Sequence, residues 1–482
     1  MTETVPIEYL PATELVARYA SGDLSPVDVT AAVLDKAEQL QPELNCFWGL
    51  DRIGALEAAA ASERRWTAGT PLGTIDGVPT SIKENVAVRG FGQPSGTAAK
   101  FDAPVAPTDG PSAARIREAG GVIFGVTVMP DYGMLSSGVS SLHGITRSPW
   151  NPAWTVGGSS AGAGAAAAAG IGPLHIGSDI GGSLRLPATW LGLVTLKPSF
   201  GRIAVDPPYM GRVAGPLTRT VDDAALLMGV LTRPDLRDYT SLGEQNLDWT
   251  DVHYAGAGVV GLRVGFHLAG GAGMVTDPEI AASVLQAVQL FEAAGAIVEE
   301  IAPLMTEKYL ADLDLFLRVR SLADYEQLEP ARQAMVLDFI RDWVLAGSGV
   351  SGTEVVRCYQ SIQDLRARTV AVTAPYDLVL SPVSPVAAFP AEWPMPTNDA
   401  ATSLDHIAFT APYNFSEQPA SSVNCGFTAD GRPIGLHIAG RRFEDLAVLR
   451  ATHWYEQTRP AAAEPVWPFH RCTSRPTDRT TP

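Results

Sequence analysis

The sequence predicts a three-layer α/β/α protein, in which a large mixed β-sheet is covered by helices on both faces. Two segments carry this prediction. Residues 113–130 (AARIREAGGVIFGVTVMP) have the pattern of a helix, a Gly-Gly break and a buried strand. Residues 262–301 repeat the alternation with an apolar strand, a helix over 278–294 and the strand-like run AIVEEI. Helices that alternate with strands are typical of a sheet packed between helical layers.

The other elements follow from local patterns. Ser25 and Pro26 form a typical helix start, with an N-cap followed by proline at the first helical position. In chain order we predict two helices over 9–43, a helix over 52–66, short strands and Ala-rich helices over a core at 71–202, a variable helical region over 303–372, and strands over 376–385 and 432–440. No repeat or linker divides the 482 residues. We therefore predict one domain over 1–470 and a loose tail over 471–482.

Composition excludes several function classes. A formal net charge of −17 repels phosphate backbones and anionic lipids, so neither nucleic acid nor membrane binding is expected. The sequence shows no signal peptide and no apolar run long enough to span a bilayer, which favours the cytoplasm. Scattered cysteines without a CxxC pair suit a reducing compartment. The eight histidines show no HxxxH or HExxH spacing, so neither a metal nor a cofactor is expected.

Three segments contain the candidate catalytic residues. They are GVPTSIKEN with Lys83, GGSSAGAG with Ser159, and GSDIGGSLRLP with Ser183. A buried lysine loses its charge readily and can then act as a general base. Two glycines before a serine form a turn whose backbone N–H groups can converge on an oxyanion. Taken singly, each segment has a simpler explanation: a solvated lysine, a helix-capping turn, and a turn before a strand.

Together, these segments and LVTLKPSFGR at 193–202 resemble the amidase signature family in order and wording. The two serines are 24 residues apart, as in the family pattern. The resemblance continues in RSPWNPAWTVGGSSAG, LSPVSPVA, FTAPYNFSEQPASS and GRPIGLHIAGRRFED, and covers most of the chain except 303–372 and the tail. Ala161 and Ala163 depart from the common loop GGSSGGS, which leaves the surrounding hydrogen bonds open to question.

The resemblance implies the amidase signature fold and the hydrolysis of small amides, with esters and carbamates as further substrates. It implies that Ser183 is the nucleophile, Ser159 the bridging serine after a cis peptide bond with Gly158, and Lys83 the base. A base is needed because a free serine hydroxyl is a weak nucleophile. The candidate oxyanion donors are the backbone N–H groups of Ile180, Gly181, Gly182 and Ser183.

Further residues are candidates for support and for the substrate pocket. We interpret Asp179 and Arg185 as braces of the turn and Ser160 as a hydrogen-bonding neighbour. The candidate pocket residues are Gly133, Met134, Tyr209, Met210 and Arg212, with Phe316, Trp343 and Leu345 from the helical region. Their apolar and aromatic character favours an aryl or alkyl acyl group.

Three alternatives remain open at this point. The segment 158–162 fits G-x-S-x-G, which would make Ser160 the nucleophile of an α/β-hydrolase with His406 or His437. Gly162 and Gly164 resemble part of a dinucleotide-binding loop, although no strand precedes them. The third alternative is an amidotransferase A-type subunit that hydrolyses glutamine and delivers ammonia within a complex. A homodimer is also left open.

Overall fold

The computed structural model describes residues 5–254 and 258–468. The predicted tail at 471–482 lies outside the described residues. No helix in the described ranges is long and apolar enough to cross a membrane.

Eleven strands form one sheet, and β4 and β5 form a separate two-stranded ribbon. The strands are β1 (Phe47–Leu50), β2 (Pro79–Lys83), β3 (Val122–Thr127), β4 (Val139–Ser140), β5 (Gly144–Ile145), β6 (Leu174–Asp179), β7 (Val194–Lys197), β8 (Val213–Thr218), β9 (Arg263–Phe266), β10 (Ile297–Glu300), β11 (Leu378–Pro382), β12 (Ala420–Phe427) and β13 (Pro433–Gly440). The strand order is β1-β3-β2-β6-β8-β7-β12-β13-β11-β9-β10.

The α-helices alternate with the strands and also form a long helical region before β11. They are α1 (Ala12–Ser21), α2 (Pro26–Leu44), α3 (Arg52–Thr67), α4 (Pro111–Glu118), α5 (Ala161–Ala168), α6 (Arg185–Leu191), α7 (Val221–Leu231), α8 (Pro278–Ala293), α9 (Glu307–Glu326), α10 (Pro330–Gln333), α11 (Asp338–Leu345), α12 (Gly352–Thr373), α13 (Ala411–Phe415) and α14 (Asp445–Thr458). Ser25 caps α2 by accepting the N–H of Val27 and Asp28.

The sheet is mixed. Strand β2 lies between β3 and β6 and runs parallel to both, so the carboxyl ends of these three strands meet at one edge. Strand β6 is antiparallel to β8, and antiparallel pairing continues through β7, β12 and β13 to β11. Parallel pairing returns at the other end, between β11, β9 and β10.

Helices cover both faces of this sheet, as two glycines of β13 demonstrate. Gly435 and Gly440 are five residues apart and so face opposite sides of the strand. A Cβ atom on Gly435 would lie 2.6 Å from Oγ1 of Thr189 in α6, and one on Gly440 would lie 2.6 Å from a methyl group of Val448 in α14. The predicted α/β/α fold class is therefore confirmed.

The predicted helical region at 303–372 forms α9 to α12. Its apolar residues pack into a second core with the loop after β11, separate from the main core beside the sheet. This second core includes Leu313, Trp343 and Phe415, and it lies next to the carboxyl edge at which β2 and β6 end.

Candidate active site

Lys83 is the last residue of β2 and is fully buried. Its Nζ lies within hydrogen-bonding distance of the hydroxyls of Ser159 at 2.8 Å, Ser178 at 3.1 Å and Ser160 at 3.2 Å. Among the described residues, no carboxylate lies within 4.0 Å of this nitrogen. The amine thus lies among hydroxyl groups, in an interior that disfavours an ammonium ion.

Burial lowers the pKa of Lys83 to about 7, and the positive charge of Arg212 acts in the same direction. The carboxylates of Asp179 and Glu84 oppose this effect without cancelling it. Near neutral pH a large share of Lys83 is therefore a neutral amine, which can accept a proton.

Ser159 lies in the tight loop that leads into α5, and its exposed fraction is 3%. The Gly158–Ser159 peptide bond is cis, as the resemblance implies. A side chain at Gly158 has no room, because a Cβ there would lie 2.5 Å from the carbonyl oxygens of Leu135 and Ser137. Ala161 and Ala163, the two departures from the common loop, are fully buried in the main core. Apolar packing therefore surrounds these two alanine side chains.

Ser183 follows a turn that Asp179 holds from the end of β6. The carboxylate of Asp179 accepts the N–H of Gly182 at 2.8 Å and the N–H of Leu184 at 3.1 Å. Gly182 has φ +130°, a conformation that favours glycine, and a Cβ there would lie 2.9 Å from Leu186 and Thr410. The turn continues into α6 rather than into a strand.

This turn changes the predicted set of oxyanion donors. The N–H of Gly182 is already bonded to Asp179, so it is not free for a substrate in this arrangement. The N–H groups of Ile180, Gly181 and Ser183 meet no protein acceptor within the described chain. The local pattern of glycines could not reveal this, because the acceptor is a side chain that folds back over the turn.

A fully buried ion pair between Asp179 and Arg185 stabilises the turn before Ser183. Arg185 donates to the two oxygens of Asp179, from Nε at 3.0 Å and from Nη2 at 2.9 Å. Arg185 also bonds Oδ1 of Asn414 at 2.6 Å and Nε2 of His437 at 3.1 Å. Burial raises the pKa of Asp179, but the charge of Arg185 and the bonds from Arg185 and Asn414 outweigh it and hold the pKa below its usual value. Burial and the charge of Arg185 lower the pKa of His437, which accepts a hydrogen bond from Arg185 and thus stays neutral.

The geometry excludes the α/β-hydrolase alternative. Ser160 is fully buried, and its hydroxyl is bonded to Lys83 and to the backbone of Ser178. Neither candidate histidine contacts it: His406 bonds Ser136 at 2.7 Å, and His437 bonds Arg185. The dinucleotide alternative also fails, because Gly162 and Gly164 lie buried inside α5, away from any surface that a pyrophosphate could reach.

Two cavities meet at Ser183. The larger, of about 440 Å³, is lined mostly by polar side chains and includes both Ser159 and Ser183. The smaller, of about 100 Å³, is mostly apolar, with Leu313, Leu317 and Trp343 on its wall; Ser183 lines it and Ser159 does not. Ile180, Gly133 and Arg320 also line both cavities. The cavities thus adjoin at Ser183, and only the polar one reaches Ser159.

Over most of its length this chain is similar to known proteins. The family model described as Amidase matches residues 28–449. The chain belongs to the amidase signature family. An acylamidase from Rhodococcus erythropolis is 34% identical over 469 residues, with 95% of this chain and 97% of that protein covered. The A-type subunit of a glutamyl-tRNA(Gln) amidotransferase from Myxococcus xanthus is 33% identical over 480 residues, with 92% and 96% covered.

The crystal structure of a bacterial aryl acylamidase of the amidase signature family superposes on this chain with a TM-score of 0.87. The two are 29% identical, and the superposition covers 98% of this chain and 100% of the other. The predicted family is therefore confirmed. As a member of it, the chain is an amidase, a hydrolase of amide C–N bonds.

Some of the predicted pocket residues of this amidase line one or both cavities, and others line neither. Gly133 lines both cavities, Met134 and Trp343 line the apolar one, and Tyr209 and Arg212 line the polar one. Met210 lines neither, because it packs against the second core. Phe316 and Leu345 also line neither: Phe316 packs beside Tyr359, and Leu345 is 43% exposed. In both cases another residue of the same helix supplies the lining side chain.

Sequence reasoning missed several residues of the amidase site. Ser178 lies in the segment GSDIGGSLRLP, but no local sequence feature distinguishes its hydroxyl group from those of neighbouring serines. Arg320, Leu313 and Leu317 lie in the variable helical region, where no motif indicates that they face Ser183.

One group of side chains outside the cavities could bind a metal ion. Asp222, His253 and His453 each present a ligand atom, and these atoms lie within 4.8 Å of one another. No local pattern in the sequence indicates this group, because its members come from three separate segments and form no histidine motif. None of them lines the cavities at Ser183.

Proposed function

We propose that this amidase hydrolyses small acyl amides through an acyl-enzyme on Ser183, with Ser159 as the bridging group and Lys83 as the base. The observation that carries the proposal is the buried Nζ of Lys83, 2.8 Å from Oγ of Ser159, in a site where Ser159 and Ser183 line the same cavity. A neutral lysine at this distance can take the serine proton.

In the proposed reaction, Ser159 passes its proton to Lys83 and takes the proton of Ser183 as Ser183 attacks the amide carbon. The N–H groups of Ile180 and Gly181 then donate to the oxyanion. Ser159 returns a proton to the leaving nitrogen, the C–N bond breaks, and water hydrolyses the ester on Ser183 by the same relay. In the described structure no hydrogen bond joins the hydroxyls of Ser159 and Ser183. Such bonds often tighten only in the substrate complex.

The two cavities suggest how the substrate is oriented. Ser159 must reach the leaving nitrogen, and it lines only the polar cavity, so the amine part is assigned there. The acyl part then occupies the apolar cavity of about 100 Å³. This is less than the roughly 150 Å³ of an engineered cavity that holds benzene, which favours a short acyl group.

The same assignment disfavours glutamine as the substrate. The acyl part of glutamine carries an ammonium and a carboxylate, whereas the apolar cavity has no carboxylate on its described wall to pair with the ammonium. Its leaving group would be ammonia, which would leave most of the polar cavity of about 440 Å³ unused. Esters and carbamates remain within the proposed range, because the same attack on Ser183 applies to them.

The test of the nucleophile is labelling with a fluorophosphonate followed by peptide mapping. We expect one adduct, on Ser183, and none in the Ser183→Ala variant. The matched control is Ser160→Ala, in which Ser183 should still be labelled, although more slowly because Lys83 loses one hydrogen bond. An adduct on Ser160, or no adduct on the folded protein, would contradict the proposal.

Shortening Leu317 should change the preferred length of the acyl group. Leu317 lies on α9 and lines the apolar cavity, so Leu317→Ala enlarges the space for the acyl chain. We expect kcat/KM to rise about tenfold for anilides whose acyl chain is about two carbons longer than the wild-type optimum. The measurement is kcat/KM over a series of straight-chain acyl anilides. Leu345→Ala, at an exposed position outside both cavities, is the control and should leave the optimum unchanged.

A further inference from the structure

Positive charge is concentrated in the polar cavity, although the protein as a whole has a formal net charge of −17. Lys100, Arg212 and Arg320 line this cavity, against the two carboxylates of Asp206 and Asp324. Asp324 lies 3.5 Å from Arg320 and pairs with it. Apart from this pair, the polar cavity contains two cations, Lys100 and Arg212, and one carboxylate, that of Asp206.

Among the described residues of this cavity, Arg212 forms no ion pair, unlike Arg320. Its Nη2 donates to the carbonyl oxygen of Asn85 at 3.2 Å, and its Nη1 donates to that of Pro207 at 3.4 Å. Within the described chain no carboxylate lies within 4.0 Å of it. Because a guanidinium has five N–H donors in a planar fork, Arg212 keeps donors for a bidentate partner.

The surroundings of Arg212 favour a negatively charged partner. Burial lowers the pKa of Arg212, and the nearby charge of Arg320 adds to this effect, while Asp206 only partly opposes it. The environment therefore disfavours this charge, and an anion beside it would relieve the cost. Asp206 does not serve as that anion, because it is exposed and forms no ion pair with Arg212 in the described structure.

The position of Arg212 assigns the anion to one part of the substrate. Arg212 lines the cavity of Ser159 and is absent from the wall of the apolar cavity. Two aromatic rings share the polar cavity: Arg320 lies 4.7 Å from the ring centre of Tyr209, and Lys100 lies 5.1 Å from that of Tyr132. The polar cavity therefore combines flat apolar surfaces with a guanidinium that has no carboxylate partner in the described chain.

We infer that the preferred substrates are amides whose amine part carries a carboxylate, such as N-acyl amino acids and acylaminobenzoates, and that Arg212 binds this carboxylate. The inference rests on the proposed function, since it needs the leaving amine to occupy the cavity that Ser159 lines. Hydrolysis of such a substrate releases a short carboxylic acid and a free amino acid or aminobenzoate. Arg212 is thus a specificity-determining residue for the amine side.

The test compares 4-(butanoylamino)benzoate with N-(4-acetylphenyl)butanamide, in which a neutral methyl ketone replaces the carboxylate and adds no second hydrolysable bond. Release of 4-aminobenzoate or 4-aminoacetophenone is measured as kcat/KM at pH 9, above the pKa of about 7 to which burial lowers Lys83. In the wild type we expect the carboxylate to be preferred at least about tenfold. Arg212→Gln should lower this preference by about 10–100-fold, and Arg212→Lys should retain part of it because a point charge replaces the fork.

Arg233→Gln is the matched control, since Arg233 is 63% exposed and lies outside both cavities. It should keep the wild-type preference. Equal rates for the two substrates in the wild type would overturn the inference and leave the proposed amide hydrolysis intact. A preference that survives Arg212→Gln in a folded protein would overturn the role of Arg212. Failure to hydrolyse either compound, together with no fluorophosphonate adduct on Ser183, would instead contradict the proposed function.

Discussion

Replacing Lys83 by alanine is expected to lower kcat/KM for an amide by about 10²–10⁴-fold, the usual contribution of a positioned acid–base group. The loss for the matching ester should be smaller. An amide nitrogen must be protonated before it leaves, whereas an ester oxygen needs less protonation. Lys83 is fully buried and lies 2.8 Å from Oγ of Ser159, so no solvent group can replace it.

The measurement is kcat/KM for an anilide and for the phenyl ester of the same acid. Lys83→Met is the second variant, because it fills the space of the lysine without its amine and so separates folding from catalysis. Lys308→Ala, at a 74% exposed side chain, is the control and should keep wild-type rates. Amide turnover within a few-fold of the wild type in a folded Lys83→Met protein would contradict the relay.

The pH profile provides an independent readout of Lys83. Its pKa is lowered to about 7, and the neutral form is the active base, so kcat/KM should rise with pH and reach half its maximum near pH 7. Below that pH the rate should fall about tenfold per pH unit, as the protonated fraction grows. A profile that stays flat between about pH 5 and 9 would show that another group is the base.

Asp179→Ala is expected to cost about 3–5 kcal/mol of unfolding free energy, the usual effect of leaving a buried charge unpaired. Arg185 is fully buried, and its guanidinium donates two hydrogen bonds to Asp179. The substitution also removes the acceptor of the N–H groups of Gly182 and Leu184, so the turn before Ser183 loses its brace. Amide hydrolysis should therefore fall as well, even at a temperature at which the variant is folded.

The measurement is the change in unfolding free energy from urea denaturation, with Glu14→Ala as the control. Glu14 forms an exposed ion pair with Arg18 one turn further along α1, and such pairs contribute about 0.2–1 kcal/mol. The double variant Asp179→Leu/Arg185→Met should regain part of the lost stability, because no buried charge is left alone. A loss for Asp179→Ala no larger than that for Glu14→Ala would contradict the structural role of this pair.

The structure confirms the predicted fold class and the comparisons confirm the family, and both had clear local signals. The unit over 113–130 appears as α4 and β3, and the alternation over 262–301 appears as β9, α8 and β10. The glycine-rich turns around Ser159 and Ser183 could also be predicted from the sequence, because strained or crowded backbone positions favour glycine. The catalytic roles of these residues stay predictions.

The substrate cavities were harder to predict, since they combine distant segments. Met210, Phe316 and Leu345 line neither cavity, and Leu317 and Arg320, which line the apolar one, were not predicted. Residues three or four positions apart share one face of a helix. In α9, polar and apolar residues are mixed around the whole helix, so its sequence does not indicate which face lines the substrate cavity.

The sequence by itself determined the alternation of helices and strands, the family, and the segments that contain Lys83, Ser159 and Ser183. These depend on short-range patterns of apolar periodicity and glycine placement, which act on the backbone within a few residues. Only the tertiary structure decided that Asp179 accepts the N–H of Gly182, that Arg212 lacks a carboxylate partner within the described chain, and that a polar and an apolar cavity adjoin at Ser183. Desolvation and charge pairing depend on neighbours brought together from distant parts of the chain, and no local pattern records them.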